Sequence, residues 1–199
     1  MIDVIDYNAG NLFSVLKALQ GLDAEPRVLK SPDQYRGGKI IIPGVGAFGD
    51  AMLQLRDSGF EEFILTQVRA GKPVLGICLG LQVLFAHSTE SPHVQGLGIF
   101  EEAVVRFPAH EKVPHMGWNQ LEVRDDSKIL RGIRSGDYVY FAHSYCAPVQ
   151  GAQYEAAVCH YSIPFAAVVA KENLYGVQFH PEKSQKVGMR ILQNFVALC

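Results

Sequence analysis

The chain has 199 residues, 48% of them hydrophobic and 19% charged, with a formal net charge of −2, which suits one domain over residues 1–199 with a substantial core. No long basic run offers a hold on nucleic acid or a membrane surface, no apolar run is long enough to span a bilayer, and the acid-interrupted start does not read as a signal peptide. The cysteines at 78, 146, 159 and 199 are scattered with no C-x-x-C pair, so neither a disulfide framework nor a zinc site is indicated, and a reducing cytosol is the natural compartment.

Taken in chain order, residues 1–7 alternate and are β-branched, which predicts a strand. A turn at 8–11 follows, then a helix to Gln20 that Asn11 could cap and that carries Leu12, Val15, Leu16 and Leu19 at helical spacing. Residues 25–29 read as a second strand, and Lys39 to Ile42 as a third, apolar throughout as in a sheet covered on both faces. A Gly-rich loop at 43–48 leads to helical patterns at 48–57 and 61–70, and a strand at 72–77. Apolar residues at 81 and 83–85 then suggest a buried helix over 79–87.

This β-α-β rhythm predicts an α/β, doubly wound, mostly parallel sheet with its functional loops after Asp6, Ile42 and Ile77. The second half is richer in short β runs at 100–107, 120–123, 138–144, 154–158, 166–169 and 174–179, read as antiparallel strands added to the sheet or packed beside it. A last helix is expected over 184–198.

Gly76-Ile77-Cys78-Leu79-Gly80 has the pattern of a nucleophile elbow: a strand turning at once into a helix, a cysteine at the turn, glycine two residues to either side. A helix N-terminus favours the thiolate, and the N–H of Leu79 could face a developing oxyanion. A buried, inert cysteine in a Gly-rich turn would carry the same local pattern.

The second sharp segment is Gly176-Val177-Gln178-Phe179-His180-Pro181-Glu182. A nucleophilic cysteine needs a base, and the base an orienting acceptor. His180 could take the proton of Cys78, and Glu182 could bond its other ring nitrogen. His115 and His143 read as structural or loop-supporting residues, and Cys146, Cys159 and Cys199 as inert.

The Cys78 and His180-Pro181-Glu182-Lys183-Ser184 segments together resemble the class I, triad-type glutamine amidotransferases. Pro43-Gly44-Val45-Gly46, Asp6 to Leu12, Pro114-His115-Met116-Gly117-Trp118-Asn119 and Tyr140 to Tyr145 narrow the resemblance to the glutaminase subunits of imidazole glycerol phosphate synthases. It covers essentially the whole chain. Asn8 stands where many such chains carry Gly, and Cys146 where an aromatic is common.

The resemblance implies a flavodoxin-like fold and no cofactor. It also implies a Cys78 thioester formed from L-glutamine, with Leu79 and Val45 as oxyanion donors and Gly46, Gln82, Ser144 and Tyr145 holding the glutamine. Ammonia would pass to a (β/α)₈-barrel cyclase subunit, which uses a phosphoribulosyl-formimino aminoimidazole carboxamide ribonucleotide in histidine biosynthesis. Asn11, Met116, Trp118, Asn119, Tyr140 and Lys183 would face that partner.

Read without the resemblance, Pro43 to Gly46 is an ordinary strand-ending turn, Trp118 a core aromatic and Lys183 a solvated charge. The glutaminase subunit of another synthase and a non-catalytic scaffold subunit are the alternative functions.

Overall fold

A computed structural model of the chain describes residues 1–8, 11–22, 24–110 and 112–199. Part of the expected turn at 8–11, namely Ala9 and Gly10, lies outside the described residues. The first half alternates strand and helix: β1 Ile2–Ile5, α1 Leu12–Gln20, β2 Pro26–Leu29, β3 Lys39–Ile42, α2 Phe48–Asp57, α3 Phe60–Arg69, β4 Val74–Ile77 and α4 Leu79–Gln82. The second half carries β5 Phe85–Ser88, β6 Phe100–Arg106, β7 His115–Gln120, β8 Glu122–Val123, β9 Tyr138–His143, β10 Tyr145–Cys146, β11 Glu155–His160, β12 Pro164–Lys171, β13 Leu174–Val177 and α5 Gln185–Leu198.

The main sheet has eight strands in the order β2-β1-β3-β4-β13-β12-β11-β8. β2, β1, β3, β4 and β13 run parallel, and β12, β11 and β8 extend the sheet with antiparallel pairings. The architecture is the α/β doubly wound one expected. Its central strands β3 and β4 are almost wholly apolar because both faces are covered. Successive residues serve opposite layers: Ile41, Leu75 and Ile77 pack with α1 and α5, while Ile40, Ile42 and Val74 pack with α2 and α3.

Four expectations need correction. The run 79–87 is not one helix: α4 stops at Gln82 and the chain re-enters as β5, parallel to β6. Leu81, Val83, Leu84 and Phe85 are all fully buried, so their pattern could not separate a helix from a strand. Backbone bonds from Leu97 to Val83, and from Ile99 and Phe100 to Leu84, decide the outcome.

The second correction concerns β13, which is parallel to β4 in exact pairing Gly176 to Gly76, and antiparallel only to β12. Third, His115, read as structural or loop-supporting, begins a strand: β7 pairs antiparallel with β9 in a separate two-stranded ribbon. Fourth, the Asn11 side chain caps no backbone N–H of α1; its Oδ1 accepts from the Ser14 hydroxyl at 2.9 Å instead. Asn8 has φ of 62°, in the left-handed region that Gly and Asn tolerate best, which accounts for an Asn at a position where Gly is also at home.

Candidate active site

β4 ends at Ile77 and α4 begins at Leu79, so Cys78 alone makes the turn, with φ 54° and ψ −108°. A non-glycine residue in such a conformation stores strain and needs support from its surroundings. The support is hydrogen bonding and close packing. Cys78 N–H donates to the Val177 carbonyl at 2.8 Å, and its own carbonyl accepts from Leu81 N–H at 3.0 Å and Gln82 N–H at 3.2 Å.

The two flanking glycines let the helix fold back this tightly. A Cβ on Gly76 would lie 2.4 Å from the Gly80 carbonyl oxygen, and one on Gly80 would lie 1.8 Å from the Ile42 carbonyl oxygen. Leu79 occupies the first position of α4, where a helix leaves its N–H without an intrahelical acceptor.

β13 runs beside β4 and carries the chain to His180 at the same end of the sheet. His180 is anchored by its own N–H to the Tyr140 carbonyl at 2.9 Å and by its carbonyl, which accepts from Ser184 Oγ at 2.7 Å. Its Nδ1 meets Glu182 Oε1 at 2.9 Å, both side chains being buried, and its imidazole hydrogen-bonds the Cys78 thiol group. Burial works against the charged ring, but the hydrogen bonds to Cys78 and Glu182, with their charges, outweigh it and push His180 up to about 9. Tyr7 lies close enough for the Cys78 charge to be felt; burial first, and then Cys78, raise its phenol. Its hydroxyl donates to the Pro43 carbonyl at 2.7 Å.

A cavity of about 210 Å³ opens on Cys78. Val45, Gly46, Leu79, Gln82, Ser144 and Tyr145 all line it, so every residue assigned by resemblance to the oxyanion or to glutamine contacts stands on this one wall. Gly46 has φ of +108°, which few residues but glycine adopt, and nothing crowds its missing side chain. His180 and Glu182 do not line the cavity; they reach it through the sulfur.

Two residues on this site escaped the sequence reading. Glu90 is the one carboxylate among the lining residues, and its Oε2 accepts the Phe48 N–H at the start of α2, at 2.8 Å. No local pattern marks it, because its loop is placed by β5, which the helical reading of 79–87 concealed. Gln178 is fully buried and donates from Nε2 to Cys78 Sγ at 3.7 Å. Its signal was an amide inside an otherwise apolar run, since a buried amide needs partners.

The ribbon of β7 and β9 forms another part of the surround. His115 Nδ1 and His143 Nε2 lie 3.1 Å apart, and His143 Nδ1 bonds the Tyr145 carbonyl at 2.8 Å. Because that carbonyl can only accept, His143 carries its proton on Nδ1 and receives one from His115 Nδ1. Burial holds both rings neutral, lowering His115 to about 4 and His143 to about 3.

The opposite face of the ribbon carries Met116, Trp118 and Tyr140. Trp118 sits across from Tyr140 in register with ring centroids 6.0 Å apart, and Met116 and Trp118 are 65% and 45% exposed. Trp118 is therefore no core aromatic. Asn119 is turned to the inner face: its Nδ2 lies 3.5 Å from His115 Nε2 and donates to the His160 carbonyl at 3.0 Å. Lys183 is exposed in the 3₁₀ turn Pro181–Lys183, and Asn11 is half-buried at the start of α1. Cys146 and Cys159 are buried with their thiols pushed upward, Cys159 to about 12, chiefly by burial. Among the described residues, no group of three or more His, Cys, Asp or Glu is placed to hold a metal ion, and no helix is long and apolar enough to cross a membrane.

Comparison with known proteins supplies the family. A family model described as glutamine amidotransferase class-I matches residues 3–199. A protein of Syntrophotalea carbinolica, imidazole glycerol phosphate synthase subunit HisH, is 48% identical, with 98% of each chain covered. HisH subunits of Geobacillus sp. and Methanothermobacter thermautotrophicus are 45% and 43% identical across 100% of this chain, covering 97% and 98% of their own lengths. Among solved structures, PurLQS from Thermotoga maritima superposes with a TM-score of 0.78 at 20% identity, covering 98% of this chain and 96% of that one, a likeness of fold. On its full-length likeness to these relatives, the chain belongs to the class-I glutamine amidotransferases and, within them, to the family of HisH subunits of imidazole glycerol phosphate synthase.

Proposed function

We propose that this chain hydrolyses L-glutamine to glutamate and ammonia as the glutaminase subunit of imidazole glycerol phosphate synthase, in histidine biosynthesis in the cytosol. The observation that carries the reading is the strained Cys78 hydrogen-bonded to the buried His180–Glu182 pair at the wall of a cavity.

With His180 raised to about 9 beside the sulfur, its ring is an imidazolium at neutral pH, and the thiolate it faces is the reactive form of the cysteine. The thiolate attacks the side-chain amide carbon of glutamine. The tetrahedral oxygen takes up the charge, with the N–H groups of Leu79 and Val45 as its donors, each worth about 3 kcal/mol of barrier. His180 then gives its proton to the departing nitrogen, ammonia leaves, and a glutamyl thioester remains on Cys78. Two of the influences that raised His180 came from Cys78, and the thioester removes them. The ring, now neutral, takes a proton from water as the water oxygen attacks the thioester carbon. The sulfur leaves with the electron pair, and glutamate is released. Glu182 holds the tautomer throughout.

Gly46, Ser144 and Tyr145 hold the substrate's backbone end, and Glu90 supplies a negative charge for its ammonium group. Gln82 spends both amide hydrogens inside the protein, on the Tyr145 carbonyl at 2.9 Å and on Gln178 Oε1 at 3.1 Å, leaving Oε1 as an acceptor for a bound ligand.

No second catalytic centre is legible in the sequence, so the ammonia serves an acceptor site on another chain: the cyclase subunit, a (β/α)₈ barrel, which makes imidazole glycerol phosphate and an aminoimidazole carboxamide ribonucleotide. Met116, Trp118 and Tyr140, with Asn11 and Lys183, form the face toward it. An exposed apolar ribbon face beside the cavity supports this docking side. The test is glutamine hydrolysis by the chain with its cyclase. Cys78→Ala is expected to abolish turnover in the complex, and turnover that survives the substitution refutes the assignment of the nucleophile.

A further inference from the structure

The triad leaves one buried polar side chain at the sulfur unexplained. Gln178 is 0% exposed, and its orientation follows from its neighbours. The Tyr145 carbonyl accepts one hydrogen of Gln82 Nε2, and His143 Nδ1 donates to the same carbonyl. The other hydrogen of Gln82 Nε2 goes to Gln178 Oε1 at 3.1 Å. Gln178 must then present its NH₂ to the other side, where Nε2 lies 3.7 Å from Cys78 Sγ.

Other groups near the sulfur are engaged elsewhere. The Tyr7 hydroxyl donates to Pro43, and Glu90, on the cavity wall, offers only acceptors as a carboxylate. His143 has its proton on the Tyr145 carbonyl, and Glu182 stands behind His180. Among the described residues, His180 and Gln178 are the donors recorded at this sulfur.

We propose that Gln178 is a catalytic residue, an amide donor that stabilises the Cys78 sulfur whenever it carries charge, and that the same amide orients Gln82 so that its Oε1 faces the substrate. The proposal rests on Cys78 being the nucleophile. It matters in two steps. In the resting enzyme an N–H aimed at sulfur raises the thiolate fraction. In thioester hydrolysis the carbon–sulfur bond breaks and the electron pair goes to sulfur, so the same donor assists the leaving group. A neutral amide does this at every pH, whereas His180 enters that half-reaction neutral and regains a proton only as water attacks.

The test is the pH dependence of Cys78 alkylation by iodoacetamide in the full chain, with Cys78→Ser as the control that identifies the alkylated site. In Gln178→Met, which keeps the length and removes the donor, alkylation near neutral pH should slow by about tenfold and recover in alkali, the midpoint of the profile rising by about one pH unit. Gln178→Glu keeps the acceptor toward Gln82 and replaces the donor by a negative charge; its profile should move at least as far. A profile superimposable on that of the unsubstituted chain in a folded variant overturns the proposal. A measurement that needs no change at 178 is the side-chain amide proton resonance of Gln178, which should shift on Cys78→Ala; an unmoved resonance also overturns it. Unshifted alkylation profiles with turnover lost in Cys78→Ala would retire the role of Gln178 alone, whereas turnover surviving Cys78→Ala would retire the nucleophile itself.

Discussion

Two buried histidine sites lie within reach of one cavity, one charged and one neutral. His180 and His143 are almost equally hidden from solvent, yet His180 is pushed up to about 9 and His143 down to about 3. Burial alone disfavours the imidazolium at both. The difference lies in the partners. His180 faces a carboxylate and a thiol, each of which gains from a positive neighbour. His143 faces a carbonyl and the neutral ring of His115, and the coulombic influence of His115 and His180 disfavours its charge further. One site thereby holds a second proton at neutral pH, and the other is a fixed brace for the Tyr145 carbonyl that also holds Gln82. Burial makes a histidine sensitive to its partners; the partners decide its charge.

The sharpest way to break the contrast is to make the first site resemble the second. Glu182→Gln keeps the shape and removes the carboxylate, so His180 should fall and lose its enforced tautomer; glutamine turnover by the complex should drop by roughly 10⁴-fold, read as kcat. A loss of less than tenfold would show that Glu182 is only structural.

The outer face of the ribbon that bears His115 and His143 gives the next effect. Trp118→Ala should weaken association with the cyclase by roughly 30-fold, while leaving the rate of Cys78 alkylation in the isolated chain unchanged. Titration of the complex measures the first and mass spectrometry the second; unaltered association would remove Trp118 from the docking face.

Breaking the brace costs less. His143→Leu removes one of the two donors to the Tyr145 carbonyl and leaves the His115 N–H without its acceptor, so the KM for glutamine should rise about tenfold, with a smaller change in kcat and a stability loss of about 1–3 kcal/mol. A fall in kcat with KM unchanged would move His143 into the proton-transfer apparatus instead.

The contrast should also show in the pH dependence of stability, which should have two limbs. The folded value of His180 lies above its ordinary 6.5, so its contribution is complete below that value and is lost as pH rises through about 9. His115 and His143 lie below 6.5, so the unfolded chain takes up protons that the folded chain refuses, and stability is lost as pH falls from 6.5 toward about 4 and about 3. Each histidine contributes at most about 1.4 kcal/mol per pH unit over its window. Denaturant titrations across pH should show Glu182→Gln flattening the alkaline limb and His143→Leu the acid one. Limbs unaffected by these changes would refute the assignment.

The parallel half of the fold was legible because β3 and β4 are short, mostly apolar runs that follow or precede Gly or Pro, and because α1, α2, α3 and α5 keep one apolar stripe. The Cys78 turn was legible for a related reason: its glycines are demanded by contacts with atoms only two to four residues away or on the adjacent strand end, so the requirement is written beside the residue it serves. His180 and Glu182 carried a local signature, since the carboxylate bonds a ring two positions away. The first turns of the second half were harder. From 79 to 85 every periodicity is erased by complete burial, and the choice between helix and strand passes to the backbone groups of 97–100.

The sequence by itself determined the layered α/β class, the strand-to-helix turn at Cys78 and the pairing of His180 with Glu182, because these depend on short-range spacing and on strand and helix periods. Only the tertiary structure decided that Glu90 stands on the cavity wall, that Gln178 aims its amide at the sulfur, that Asn119 turns inward while Trp118 turns outward, and that His115 and His143 stay neutral. These depend on which atoms meet across long separations in the chain. A side chain's charge and hydrogen-bond role are properties of its partners, and those partners are chosen by strand pairing and packing rather than by neighbours in the sequence.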